Sequence, residues 1–191
     1  SYKDPKFTFT TNIIGTLNIL EIIKEIKSVK SVVIVTSDKC YKNFEKKSGY
    51  SETDEMGGQD PYSASKAAAE NIFYSYNKSF YENENNIGLV TARAGNVIGG
   101  GDWSKDRIIP DFIKSIISKK KFTIRSPKST RPWQHVLEPI SGYLNLGLKL
   151  YEDNSLNGQK FNFGPKTEKN YTVEELLIDL SKYWGLDDLK D

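Results

Sequence analysis

With 191 residues, 37% of them hydrophobic and 12% aromatic, the chain can bury one packed core with room for a second lobe, and its composition is that of a globular protein. Its 27 basic and 25 acidic residues are dispersed along the chain and leave a net charge of +2, which argues against a polybasic surface for nucleic acid or membrane. A single cysteine, Cys40, excludes an internal disulfide, and no apolar run is long enough for a membrane span or signal peptide, so a reducing cytoplasm is expected.

The predicted elements alternate. "TTNIIGTLNILEIIKEI" spaces Ile13, Leu17, Leu20 and Ile23 by three or four residues, the pattern of an amphipathic helix, with Gly15 as a point of close approach. "SVVIVTS" follows as a strand whose apolar run, Val32 to Val35, suits a parallel strand covered on both faces. After a polar loop, Lys42 to Gln59, a helix opens at "DPYSASKAAAEN": Pro61 suits a first turn, the alanines favour continuation, and Ile72, Phe73 and Tyr76 supply apolar surface. "IGLVTARAGNVIGGG" reads as a second buried strand running into a glycine-rich loop. The pattern then predicts a helix from Asp106 or Arg107 to Ser118, a short strand at "KFTIRS", a helix from Val136 to Leu150 and a strand at "KFNFGP". The last helix, Thr172 to Trp184, has Thr172 and Glu175 at capping-box spacing.

This order predicts an α/β fold with a parallel sheet, in which ligands sit beyond the carboxyl ends of the strands. The segments there are "TSDKCY" after the first apolar strand and "GNVIGGGDW" after the second, with the Tyr62/Lys66 helix starting between them. Side chains four residues apart share a helix face, and an ammonium held near a phenol favours the phenolate, a proton acceptor for chemistry on a sugar or alcohol. Any helix of this composition can also carry such a pair by chance. Ser37, Asp38 and Lys39 add a hydroxyl, a carboxylate and a second ammonium. No metal-ligand spacing occurs in the chain, and Cys40 and the single histidine, His135, read as structural.

"TNIIGTLNILE", "VTSDKCY", "PYSASKAAAE", "ARAGNVIGGGDW", "DRIIPD" and "RPWQHVLEPISGYL" together resemble the extended short-chain dehydrogenase/reductase family, from about Tyr2 to at least Leu150. Within it, "SDKCY", "GGGDW" and "RPWQHVLEP" are most similar to the branch of nucleotide-sugar 4,6-dehydratases that acts on CDP-glucose. The resemblance implies a partial Rossmann-type, doubly wound parallel sheet lacking its N-terminal units, plus part of a small C-terminal substrate-binding region. Residues 1–100 would be the second half of an NAD-binding domain with the catalytic residues, and residues 101–191 mostly a nucleotide-sugar region with segments returning to the sheet. The family's glycine-rich turn between first strand and helix is absent from this sequence, so the chain is expected to be a fragment lacking roughly three strand-helix units of about 30 residues each.

Carried over by position, the resemblance implies that Tyr62 takes the sugar O4 proton while NAD accepts the C4 hydride, that Lys66 assists Tyr62 and bonds the nicotinamide ribose, and that Ser37 hydrogen-bonds O4. Asp38 would protonate the hydroxyl leaving C6. Lys39 stands where relatives acting on dTDP-glucose have the glutamate that removes the C5 proton, and would have to be neutral to do so; alternatively it only pairs with Asp38. Asn12 would support Lys66 through water, Asn96 and Arg131 would contact the sugar and diphosphate, and Arg107 and Trp103 are further candidates. The resemblance also implies a homodimer formed through the helices matching Thr8 to Ile26 and Pro61 to Tyr81. A non-catalytic sugar-nucleotide-binding or dimerisation fragment, and an epimerase or decarboxylase using the same Tyr62 and Lys66, are the alternatives.

Overall fold

A computed structural model of the chain describes residues 1–46, 48–83, 86–166 and 171–185. In chain order the elements are α1 (Pro5–Phe9) running through a π-helical turn (Thr10–Ile14) into α2 (Gly15–Glu25), β1 (Ser31–Val35), a 3-10 turn (Asp38–Cys40), and α3 (Pro61–Tyr76) with a second π turn (Asn77–Tyr81). Next come β2 (Gly88–Ala94), β3 (Val97–Ile98), α4 (Ile108–Ile117), β4 (Gln134–His135), α5 (Leu137–Glu152), β5 (Lys160–Phe163) and α6 (Val173–Tyr183). They form two compact units, one of residues 1–95 with 138–164, the other of residues 96–137 with 165–191.

The first unit is a three-stranded parallel sheet in the order β1-β2-β5, with Ser31 opposite Gly88 and Ala92 opposite Phe161. Strand alternation sends Leu89 to one face, where it joins Leu20, Ile23, Phe73 and Tyr81 from α2, α3 and the second π turn. Val90 and Ala92 go to the other face, against Leu146 and Leu150 of α5. The sheet is thus covered on both faces, as a doubly wound arrangement requires. Phe73 is fully buried at the centre of the first cluster, where truncation to alanine would cost about 3–5 kcal/mol.

The second unit is built on a core of Phe112, Val173 and Leu177, joined by Ile108, Phe122, Ile124 and Trp133. In it β3 pairs in parallel with β4, and α6 opens with the expected capping box: Glu175 N–H donates to Thr172 Oγ1 (3.2 Å) and Thr172 N–H to Glu175 Oε2 (2.7 Å).

Three expectations are corrected. Lys121 to Ser126 is not a strand; Phe122 and Ile124 alternate because both turn into the core, but the segment has no ladder partner among the described residues. β1 is only partly covered, with Val35 46% exposed, because it lies at the edge of the described sheet. Gly15 is no close-approach point among the described residues, since a Cβ there would meet none of them within 4 Å. Among the described residues no helix is long and apolar enough to cross a membrane.

Candidate active site

The first unit carries five of the expected residues at the carboxyl end of β1 and the start of α3. Beyond β1 the chain leaves the sheet at Thr36, whose N–H makes a last bond to Ala92 O (2.9 Å), and turns through Ser37 into the 3-10 turn. Ser37 caps this turn: its Oγ accepts from Lys39 N–H (3.2 Å) and donates to Asp38 Oδ1 (3.1 Å). Lys39 Nζ pairs with Asp38 Oδ2 at 3.3 Å, with the Lys39 side chain 45% exposed. Cys40 is buried at the end of the turn and packs with Tyr41 and Ala67 of α3; burial pushes its thiol up to about 12, too high for a reactive thiolate.

The start of α3 is fixed by Asp60, whose carboxylate accepts from the N–H groups of Tyr62 (2.9 Å) and Ser63 (3.1 Å) and from Ser63 Oγ (2.6 Å). Burial works to raise the Asp60 pKa, but these hydrogen bonds and the charge of Lys39 outweigh it and hold the carboxyl below its usual range. Gly58 lets the preceding loop run against this first turn, since a Cβ there would lie 2.3 Å from Ser63 Cβ. Tyr62 is 39% exposed, and its hydroxyl has no partner among the described residues. Lys66, one turn later, is half-buried and also has no hydrogen-bond partner there; burial lowers its pKa, and the nearby Glu70 opposes that shift. Asn12 lies in the first π turn, and its Nδ2 donates to Ser65 Oγ (2.8 Å), which in turn donates to Tyr62 O (2.7 Å). Its direct contact is therefore with the hydroxyl of Ser65, the residue before Lys66, which links it to the backbone of the Tyr62 turn.

Beneath these groups lies a buried network absent from the sequence reading. Arg93 of β2 and Glu70 of α3 form a fully buried bidentate pair (Nε–Oε1 2.9 Å, Nη2–Oε2 2.6 Å). Burial works against the Arg93 charge, but the hydrogen bonds and charge of Glu70 more than offset it and hold the guanidinium protonated. The available signal was an arginine inside the otherwise apolar "GLVTARA", which must find a buried counter-charge.

The second unit holds Asn96, Arg107 and Arg131 on one cavity of about 530 Å³, which Gly99–Gly101, Trp103, Trp133 and Trp184 also line. Arg107 pairs with Asp102 at 3.5 Å, and Arg131 Nη1 donates to Thr130 O (2.7 Å). Two guanidinium groups and three indoles around a glycine-rich loop make a cavity with cationic donors and flat apolar surfaces. His135 is exposed in β4, its Nδ1 accepting from Leu137 N–H (3.3 Å).

The family model described as GDP-mannose 4,6 dehydratase matches residues 1–182. The chain belongs to this family. Its resemblance to the extended short-chain dehydrogenases is borne out by a curated relative, the CDP-glucose 4,6-dehydratase of Salmonella typhimurium, 46% identical over 191 residues that cover 98% of this chain and 53% of the relative. The dTDP-D-glucose 4,6-dehydratase of Dictyostelium discoideum is 31% identical over 188 residues, 92% of this chain and 40% of the relative. This member of the GDP-mannose 4,6-dehydratase family thus spans about half the length of the curated relatives it matches. Its fold is that of the Streptomyces venezuelae dTDP-glucose 4,6-dehydratase crystallised with NAD, with a TM-score of 0.79 at 21% identity over 98% of this chain and 54% of the other.

Proposed function

We propose that the protein to which these residues belong is an NAD-dependent nucleotide-sugar 4,6-dehydratase that converts CDP-glucose to CDP-4-keto-6-deoxyglucose. The observation that carries the reading is the open Tyr62 hydroxyl and Lys66 ammonium on the opening turns of α3, packed against the turn that bears Ser37, Asp38 and Lys39. The name of the Salmonella relative supports the choice of nucleotide. A half-buried ammonium with free donors also suits the ribose hydroxyls of a dinucleotide, so Tyr62, Lys66 and Asn12 fit the nicotinamide end of NAD. When bound, NAD supplies the hydride acceptor for C4 and the hydride returned at C6.

Tyr62 takes the O4 proton, Ser37 donates to or accepts from O4, and the Lys66 charge favours the phenolate that Tyr62 needs. Once C4 is a ketone, the C5 proton is acidic because the carbanion left behind is an enolate. Lys39 Nζ and Asp38 Oδ2 lie 3.3 Å apart, and the elimination requires Lys39 to act as a neutral amine and Asp38 as an acid. Lys39 removes the C5 proton while Asp38 protonates the hydroxyl leaving C6 and water departs; when hydride is returned to C6, the Lys39 ammonium gives a proton back to C5. In the second unit, Asn96, Arg107 and Arg131 serve the sugar and diphosphate, guanidinium being suited to bidentate phosphate contacts. We further propose a cytoplasmic homodimer that meets through α1–α2 and α3, where Phe7, Ile19, Ile22 and Tyr74 are each at least half exposed.

The test is to incubate the protein and NAD with CDP-, dTDP- and UDP-glucose separately and to identify products by NMR. The 4-keto-6-deoxy sugar from CDP-glucose in preference to the others supports the reading; a 4-epimer, or no product from any of them, overturns it.

A further inference from the structure

Glu70 lies wholly out of solvent and accepts from four donors. Thr36 Oγ1 (2.5 Å) and Arg93 Nε (2.9 Å) reach Oε1, while Thr91 Oγ1 (3.1 Å) and Arg93 Nη2 (2.6 Å) reach Oε2. Thr91 and Arg93 share a face of β2 by strand alternation, and that face points at α3. The remaining guanidinium nitrogen, Nη1, donates to Tyr41 Oη (2.8 Å), and the Arg93 guanidinium also lies 5.0 Å from the centroid of the Tyr41 ring. Tyr41 Oη in turn donates a hydrogen bond to Asn162 Oδ1 of β5 (2.6 Å).

The residues gripped by this pair are informative. Thr36 immediately precedes Ser37, and Tyr41 immediately follows Cys40, so one buried carboxylate–guanidinium pair holds the turn of Ser37, Asp38 and Lys39 at both ends. Glu70 itself is one helical turn beyond Lys66 and two beyond Tyr62. A fully buried ion pair adds little net stability over an apolar cluster of the same shape, because desolvation consumes the Coulombic gain. Apolar clusters already flank it on both sides. What the pair adds is direction, since hydrogen bonds fix angles where apolar contacts tolerate sliding.

We propose that Glu70 and Arg93 are positioning residues, which bracket the Ser37–Lys39 turn through Thr36 and Tyr41 and hold it in register with Tyr62 and Lys66. The proposal rests on the dehydratase reading for its catalytic consequence, and on the turn's geometry for its structural one. Neither Thr36 nor Tyr41 is a reacting group, so removing a hydroxyl from either loosens one bracket while leaving the ion pair intact.

Thr36→Val and Tyr41→Phe test this, with Thr36→Ser as the conservative control. Each of the first two is expected to lower kcat for CDP-glucose about ten- to a hundredfold with KM little changed, because displacement of a reacting group by about 1 Å can cost that much. Thr36→Ser, which keeps the hydroxyl, is expected to retain near-normal kcat. Independently of turnover, hydrogen exchange on the 191-residue chain should show the Lys39 and Cys40 amides, which bond back to Ser37, exchanging at least about tenfold faster in Thr36→Val. Should Thr36→Val fail to fold, Tyr41→Phe carries both arms. Unchanged exchange and kcat in the variants, or Thr36→Ser as impaired as Thr36→Val, would overturn the proposal. A wild-type protein that turns over no nucleotide sugar would remove the dehydratase reading alone, and the exchange result would still decide whether the turn is bracketed.

Discussion

Lys39 is the residue on which the dehydratase account differs most from its alternatives. Its contact with Asp38 is what a simple surface ion pair would show, and such pairs contribute little to stability. In the proposed mechanism, however, the two side chains serve separately, Lys39 as the base at C5 and Asp38 as the acid for the hydroxyl leaving C6. Lys39→Ala should therefore leave C4 oxidation working and stop the reaction before water is lost, with exchange of the C5 proton into deuterated solvent suppressed. Normal C5 exchange in that variant would remove Lys39 from the mechanism and assign the proton to Asp38 or water. Ser37, Asp38, Lys39, Tyr62 and Lys66 were legible in the sequence because each sits in a short motif at a strand end or helix start. Glu70 and Arg93 were not, because their partnership spans two elements and a pattern read along one element does not register it.

At the scale of elements, α3 matters most, since it presents Tyr62 and Lys66, and its start depends on Asp60. Because hydrogen bonds and Lys39 hold the Asp60 carboxyl below its ordinary value, its contribution to stability is fully present above the unfolded-state pKa near 3.8 and is lost as pH falls through the lower folded-state value. Asp60→Ala should cost about 1 kcal/mol at neutral pH. The difference from wild type should shrink on acidification below pH 4, measured by urea denaturation; a difference that stays constant from pH 7 to pH 3 would contradict the cap assignment. The helices and the buried strand β2 were legible because periodicity and length agree. "KFTIRS" was misread because period-two alternation records which side chains turn inward, and a coil lying on a core satisfies that as well as a strand does. The two π turns left no trace in the pattern, since one inserted residue per turn barely disturbs a helical stripe.

At the scale of the whole molecule, the exposed apolar side chains of α1, α2 and α3 and the open space around Gly15 are what the proposed dimer would cover. Light scattering at tens of micromolar should give twice the chain mass, and Ile22→Glu, at a position 56% exposed, should give a monomer with little change in melting temperature. A wild-type monomer at that concentration would contradict the dimer. The central claim, that Tyr62 opens a 4,6-dehydration, is tested most directly by isotope transfer with CDP-glucose deuterated at C4, in the presence of NAD. The account predicts that the label is recovered at C6 of a 4-keto-6-deoxy product, and that Tyr62→Phe slows this transfer by about 10²–10⁴, the usual contribution of a general base. Label retained at C4 of an epimer, or label transfer at the normal rate in Tyr62→Phe, would contradict it.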